Sequence, residues 1–249
     1  KSSGVPAFSI GGSDGWTLTD LQENIYLRQA GAAKYDQLST HKIKWTDPSV
    51  ITSLKTMAQI FSASSNIYGG TSGALQTDFP TSVNNVFTDP PKAAMVMEGD
   101  FVPGTATTKL KGVSGYNEFA FPSVSGSAPS VVGGGDTVVM FKDSPAARAL
   151  ISYLATPQAA TIWTKKGGFS SPNKGVPASA YSDPIARKTA VALAQAKIFR
   201  FDLSDLQPAA FGGTVGQGEW KILQDFLKNP SNVTGTAAAL EKSAAAAYK

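Results

Sequence analysis

Apolar residues recur at helical spacing along much of the chain, and several of these stretches open on the same signal, a small polar residue followed by proline. Such a residue caps free amide groups, and the proline has its φ preset and lacks an N–H that would be orphaned anyway. Asp47-Pro48, Ser144-Pro145, Thr156-Pro157 and Asp183-Pro184 are four such starts. After Asp47, Val50, Leu54, Met57 and Phe61 predict one buried face on a helix over 48–62. Ala147, Leu150, Ile151 and Leu154 predict another buried face after Ser144. Helices also fit 17–30 (Leu18, Leu21, Ile25), 184–197, 217–228 (Leu223, Phe226, Leu227) and the Ala-rich 236–248, about seven in all.

Strand-like runs are short: Ala93–Met97, Phe119–Phe121 and Thr137–Phe141, each apolar or β-branched and bounded by Gly or Pro. Short buried strands among helices indicate an α/β protein. Gly- and Ser-rich stretches at 62–74, 123–135 and 212–218 read as loops, and no internal repeat stands out.

With 249 residues the chain has room for a substantial core, and its 42% apolar share is ordinary. Charged residues make up only 16%, against a usual figure of about 25%. The net charge of +4 is scattered with no basic run, which argues against nucleic acid as a partner. The chain has no cysteine, so disulfides and thiolate chemistry are excluded within it. No stretch approaches the apolar length of a membrane span, and Lys1-Ser2-Ser3-Gly4 has no signal core, so an export signal is expected upstream.

His41 is the only histidine and reads as a surface residue, which leaves a Ser–His–Asp triad without support. Two carboxylates suffice for glycoside hydrolysis, so Glu98 with Asp100, or Asp202 with Asp205, keeps open a glycoside-processing enzyme or an accessory carbohydrate-binding domain. Gly133-Gly134-Gly135 precedes a predicted strand, unlike a phosphate loop, and suits close backbone approach. Asn232-Val233-Thr234 reads as turn chemistry after a helix end. Four loops pair an aromatic with a carboxylate or glycine: Ser13–Trp16, Glu98–Phe101, Phe199–Asp202 and Phe211–Gly213. Sugars have apolar C–H faces and hydroxyl rims, so aromatics beside carboxylates suit a neutral, hydroxyl-rich ligand bound without catalysis.

The segment Phe8-Ser9-Ile10-Gly11-Gly12-Ser13-Asp14-Gly15-Trp16-Thr17-Leu18 resembles the strand, glycine turn and helix start of the family 1 extracellular solute-binding proteins. Lys92–Phe101, Val132–Asp136 with the Ser144 and Thr156 helix starts, Gly167–Asn173, and Phe201–Asp205 through Pro208–Gly212 resemble further segments in order and spacing. The resemblance implies a two-lobed α/β receptor of the periplasmic-binding-protein type, here mainly its second lobe with helices packed on a short-stranded sheet, delivering a neutral mono- or oligosaccharide, α-glucoside-like, to the membrane permease of an ABC importer. It implies that Trp16 stacks on a sugar ring and Asp14 accepts from hydroxyls. Phe101 stands where relatives often carry tryptophan, beside Asp100 as a polar contact, while Glu98 could equally face away. Gly134 and Gly135 would let backbone approach the cleft, and Asp202, Asp205 and Trp220 would line the other side, with core packing nearly as good a reading for Trp220. No catalytic residue, metal or cofactor is expected. Residues 1–131 and 173–249 would form the second lobe and 132–172 would belong to the first lobe and crossovers, exposing strand edges that invite self-association. The implied location is extracellular or periplasmic, lipid-anchored at the cell surface.

Overall fold

A computed structural model describes residues 4–106 and 116–249. Helix α1 (Trp16–Ala30) starts at Gly15, whose φ of 85° lies in the left-handed region, and turns Leu18, Ile25 and Tyr26 inward. Helix α2 (Ala32–Ser39) follows immediately and contributes Tyr35 and Leu38. Helix α3 (Pro48–Ser62) forms as its sequence predicts: the Asp47 carboxylate accepts from the Ser49 N–H at 2.8 Å, and Val50, Leu54, Met57 and Phe61 are fully buried. Short helices α4 (Gly70–Ala74), α5 (Phe79–Phe87) and α6 (Val102–Thr105) come next. The sequence pattern did not predict these three or α2, because helices this short complete too few turns to show a period. Helix α5 nevertheless carries the same start signal, with Asp78 capping the Thr81 N–H and proline at the second position.

Helices α7 (Pro145–Leu154) and α8 (Pro157–Thr164) start at Ser144 and Thr156, and each cap accepts from the amide three residues on. Helix α9 (Pro184–Gln195) starts at Asp183. A one-turn α10 (Ala209–Gly212), α11 (Gly218–Lys228) and α12 (Val233–Ala247) complete the chain. Helices α1, α3, α11 and α12 pack together. Their core holds Trp45, Tyr26, Phe61, Phe211, Phe226, Leu223 and Leu240.

The strands are β1 (Phe8–Ser9), β2 (Met95–Val96), β3 (Val131–Gly133) and β4 (Phe199–Phe201). They form two separate parallel pairs, β1 with β2 (Phe8 opposite Met95) and β3 with β4 (Val131 opposite Phe199). Helix α5 lies against the first pair, and β3 touches α1.

Several expectations need correction. Ala93–Met97 narrows to β2, while Phe119–Phe121 and Thr137–Phe141 are not strands, and Phe141 is 98% exposed. A strand exists only where a second backbone completes its ladder, and neither segment has one among the described residues. The glycines at 133–135 therefore end β3 instead of preceding a strand. The α7 face is not buried either: Leu150 is 57% and Leu154 43% exposed. Its apolar stripe is present, but α8 touches α7 without covering Leu150 and Leu154. His41 is no plain surface residue, since its ring stacks on Tyr248 at 5.0 Å and its Nε2 lies 3.2 Å from Glu241.

Met57 and Leu150 thus separate two apolar helix faces that look alike in sequence. Chemical denaturation should show Met57→Ala costing about 2–5 kcal/mol. Leu150→Ala should stay within about 0.5 kcal/mol, and a comparable loss there would mean that its face is buried.

Candidate functional site

The site begins at the turn that joins β1 to α1. A Cβ on Gly11 would sit 2.8 Å from the Phe79 Cα, and one on Gly15 would sit 2.7 Å from the Trp220 Cβ. These glycines therefore let the turn settle between α5 and α11. The Gly12 N–H donates to the Ala74 carbonyl at 3.0 Å, and the Thr17 hydroxyl donates to the Gly11 carbonyl at 2.8 Å. Asp14 accepts from the Phe79 N–H at 2.5 Å and so also holds the start of α5.

This arrangement brings three aromatic rings together at the surface. Trp16 lies 5.0 Å from Phe79 and 6.1 Å from Phe101, and Phe79 lies 5.4 Å from Phe101, all tilted or edge-on. Phe101 keeps 39% of its surface exposed, and Trp16 and Phe79 are half-buried. Asp100 is half-buried beside Phe101. Such a group presents flat apolar surface without needing a deep cavity.

One helical turn beyond Trp16, on the same face of α1, stands Asp20, followed by Glu23. A carboxylate oxygen of each lies within 4.8 Å of the others and of one from Asp202. Asp202 caps its own turn, accepting from the Ser204 N–H (2.8 Å), the Ser204 hydroxyl (2.7 Å) and the Asp205 N–H (3.1 Å). Glu23 accepts from the Leu203 N–H and, at 3.0 Å, from the Tyr35 hydroxyl. The Asp202 N–H donates to the Gly133 carbonyl at 3.1 Å. A Cβ on Gly134 would lie 3.9 Å from both the Asp202 Cβ and an Asp205 oxygen, and one on Gly135 would lie 4.0 Å from the Phe201 ring.

The electrostatics follow from this crowding. Burial, then the charge of Asp202, raises Asp20 well above the usual carboxylate range. Glu23 is raised by burial, then by Asp202 and Asp20. Glu98 is pushed up to about 9, mainly by burial and then by Asp20 and Asp14. Glu219, at the start of α11, is raised by burial and then by Asp202. Asp205 is raised by burial and then by Asp202.

The structure thus gathers Asp14, Trp16, Asp100 and Phe101 on one side of Asp20, and Gly134, Gly135, Asp202 and Asp205 on the other. Trp220 lies beneath the turn, against Gly15, and its Nε1 is buried without a hydrogen-bond partner. Phe79, Asp20, Glu23 and Glu219 are not singled out by the sequence pattern, whereas Glu98 enters it only as a partner of Asp100. Trp16, Asp20 and Glu23 stand at i, i+4 and i+7, so their shared face was available from spacing.

Parallel strand pairs under helices give the chain the fold of solved solute receptors, and its sequence is similar to solute-binding proteins over most of its length. It is 35% identical over 220 residues to the osmoprotective compounds-binding protein GgtB of Synechocystis, covering 87% of this chain and 51% of that protein. It is 31% identical over 226 residues to the alpha-glucosides-binding periplasmic protein AglE of Rhizobium meliloti, covering 89% of this chain and 48% of that protein. The chain therefore spans about half the length of the curated relatives it matches. Among solved structures, a chitin oligosaccharide binding protein superposes with TM-score 0.67 at 17% identity, over 99% of this chain and 61% of that one. The bacterial solute receptor AcbH, described as preferring β-D-galactopyranose, superposes with TM-score 0.75 at 16% identity, over 100% and 62%. No family model matches the chain. No described helix is long and apolar enough to cross a membrane.

Glu98 offers a direct test of the crowded carboxyls. Its folded pKa lies above its ordinary 4.5, so the folded state holds the extra proton and loses stability as pH rises from about 4.5 towards about 9. Glu98→Gln should flatten that decline in thermal unfolding with chelator present, leaving the part due to Asp20, Glu23 and Glu219. An unchanged pH profile would place Glu98 in contact with water.

Proposed function

We propose that the chain is the ligand-binding part of a solute receptor that captures a neutral, α-glucoside-like mono- or oligosaccharide for an ABC importer, without breaking a bond. The observation that carries this reading is the wall itself, with Trp16, Phe79 and Phe101 within 6.1 Å of one another beside Asp14 and Asp20. Trp16 and Phe101 would stack on the sugar's C–H faces. Asp14, Asp100, Asp202 and Asp205 would accept from its hydroxyls, and the bare backbone at Gly134 and Gly135 would let the ligand approach. Trp220 supports the turn and reaches the ligand only at its edge. The names of the relatives, which bind α-glucosides and osmoprotective compounds, support this ligand class.

On the same reading, residues 1–131 and 173–249 form one lobe of a two-lobed receptor and 132–172 belong to the other lobe and the crossovers. Support comes from the exposed Val138, Phe141, Leu150, Leu154 and Trp163, an apolar surface that a second lobe or a second copy would cover. The whole receptor would work outside the cytoplasm, anchored by lipid, with the importer's permease as its partner.

Calorimetry against maltose, trehalose, sucrose and longer glucans tests the binding reading. Trp16→Ala should cost about 1–3 kcal/mol of affinity, roughly fivefold to 150-fold, with little change in Tm. Lowered Tm with unchanged affinity would assign Trp16 to packing alone, and turnover of a glycoside that Asp202→Asn abolishes would replace binding with catalysis. Light scattering should give a mass above the monomer's 25.9 kDa, reduced by Leu154→Ser, whereas a wild-type monomer would contradict the proposed self-association.

A further inference from the structure

Asp20, Glu23 and Asp202 each bring a carboxylate oxygen within 4.8 Å of the others behind the aromatic wall, with Glu219 nearby and no cation beside them. Among the described residues, no Lys, Arg or His forms an ion pair with Asp20, Glu23, Asp202 or Glu219. Glu23 and Glu219 are each only 1% exposed. Glu23 Oε1 and Glu219 Oε2 are sealed from solvent, and neither has a hydrogen-bond partner. A carboxylate buried this deeply without positive charge is stable only when a proton or a cation neutralises it.

We propose that Asp20, Glu23 and Asp202 hold a hard divalent cation such as calcium, with Glu219 supplying further negative charge from α11. This departs from the expectation, from sequence, of no metal, and it does not rest on the sugar-binding reading. Three carboxylate oxygens, each within 4.8 Å of the others, are close enough to meet on one cation, and an all-oxygen set suits a hard divalent ion. The outer contacts suit ligands held in advance: the Tyr35 hydroxyl and Leu203 N–H fix Glu23, and the Ser204 N–H and hydroxyl fix Asp202. Asp20 and Asp202 are half-buried and Asp205 is exposed, so an ion can enter from that side and keep water on its open positions. Protons shared among Asp20, Asp202 and Glu23 would still leave the sealed Glu219 Oε2 without a partner.

Terbium luminescence reports on such a site because Trp16 stands one helical turn from Asp20. The chain is freed of metal with chelator and titrated with terbium at neutral pH under tryptophan excitation. One saturable site should appear, calcium should displace terbium from it, and calcium alone should raise the Tm. Asp20→Asn and Asp202→Asn should each weaken calcium at least about tenfold. In chelator their Tm should equal or exceed that of the unmutated chain, because each removes a like charge. Absence of both sensitised emission and a Tm rise at millimolar calcium would overturn the proposal. So would calcium binding that both substitutions leave unchanged, or a Tm gain from the substitutions with no response to calcium, which would assign the cluster to shared protons.

Discussion

The carboxylate of Glu23 joins segments that lie far apart in sequence. From the second turn of α1 it accepts from the Leu203 N–H, and the Tyr35 hydroxyl lies 3.0 Å from it and 2.9 Å from the Phe201 carbonyl. The end of β4 and the turn after it are thereby fastened to the helix that carries Trp16 and Asp20. Removing that carboxylate would leave a buried amide without an acceptor, a penalty of about 1–3 kcal/mol. It would also free the turn that presents Asp202 and Asp205. Arg28, further along α1, reinforces the link, donating to the Ser130 carbonyl at 2.7 Å and lying 4.6 Å over the Phe121 ring. Both sides of the wall therefore take their positions from one helix.

A second constraint acts at the other end of α1. Gly15 combines a left-handed backbone with contact against Trp220, so the turn bearing Asp14 rests directly on α11. Gln224 on the same helix donates to the Gly12 and Ser13 carbonyls, each at 2.9 Å. Trp220 thus acts on the wall from below, which reconciles its two readings from sequence as packing residue and site residue.

Much of the helical scaffold was legible because its signals are local. An N-cap and a following proline act over three residues, and all four starts at 47, 144, 156 and 183 form as the sequence implies. Burial is not local. The stripes of α3 and α7 look equivalent, yet α3 packs against α1 and α12 while α7 meets α8 and leaves Leu150 and Leu154 exposed. Strand identity is not local either: Phe199–Phe201 becomes a strand because Val131–Gly133 lies beside it, whereas the more strand-like Thr137–Phe141 finds no partner among the described residues. At the wall, Trp16, Phe101 and the glycines were readable from their loops, whereas Phe79 was not. The acidic set was not, because Glu23 and Glu219 acquire their character only when β4 and α11 bury them against α1.

The central claim is that the turn at Asp14–Trp16, the loop at Glu98–Phe101, the backbone at Gly134–Gly135 and the turn at Asp202–Asp205 form one ligand-facing surface. Backbone amide NMR of the chain titrated with trehalose tests this most directly. Shifted resonances should cluster in those four segments and on the first turns of α1. Shifts confined to α11 and α12, or none at ligand concentrations of tens of millimolar, would contradict it.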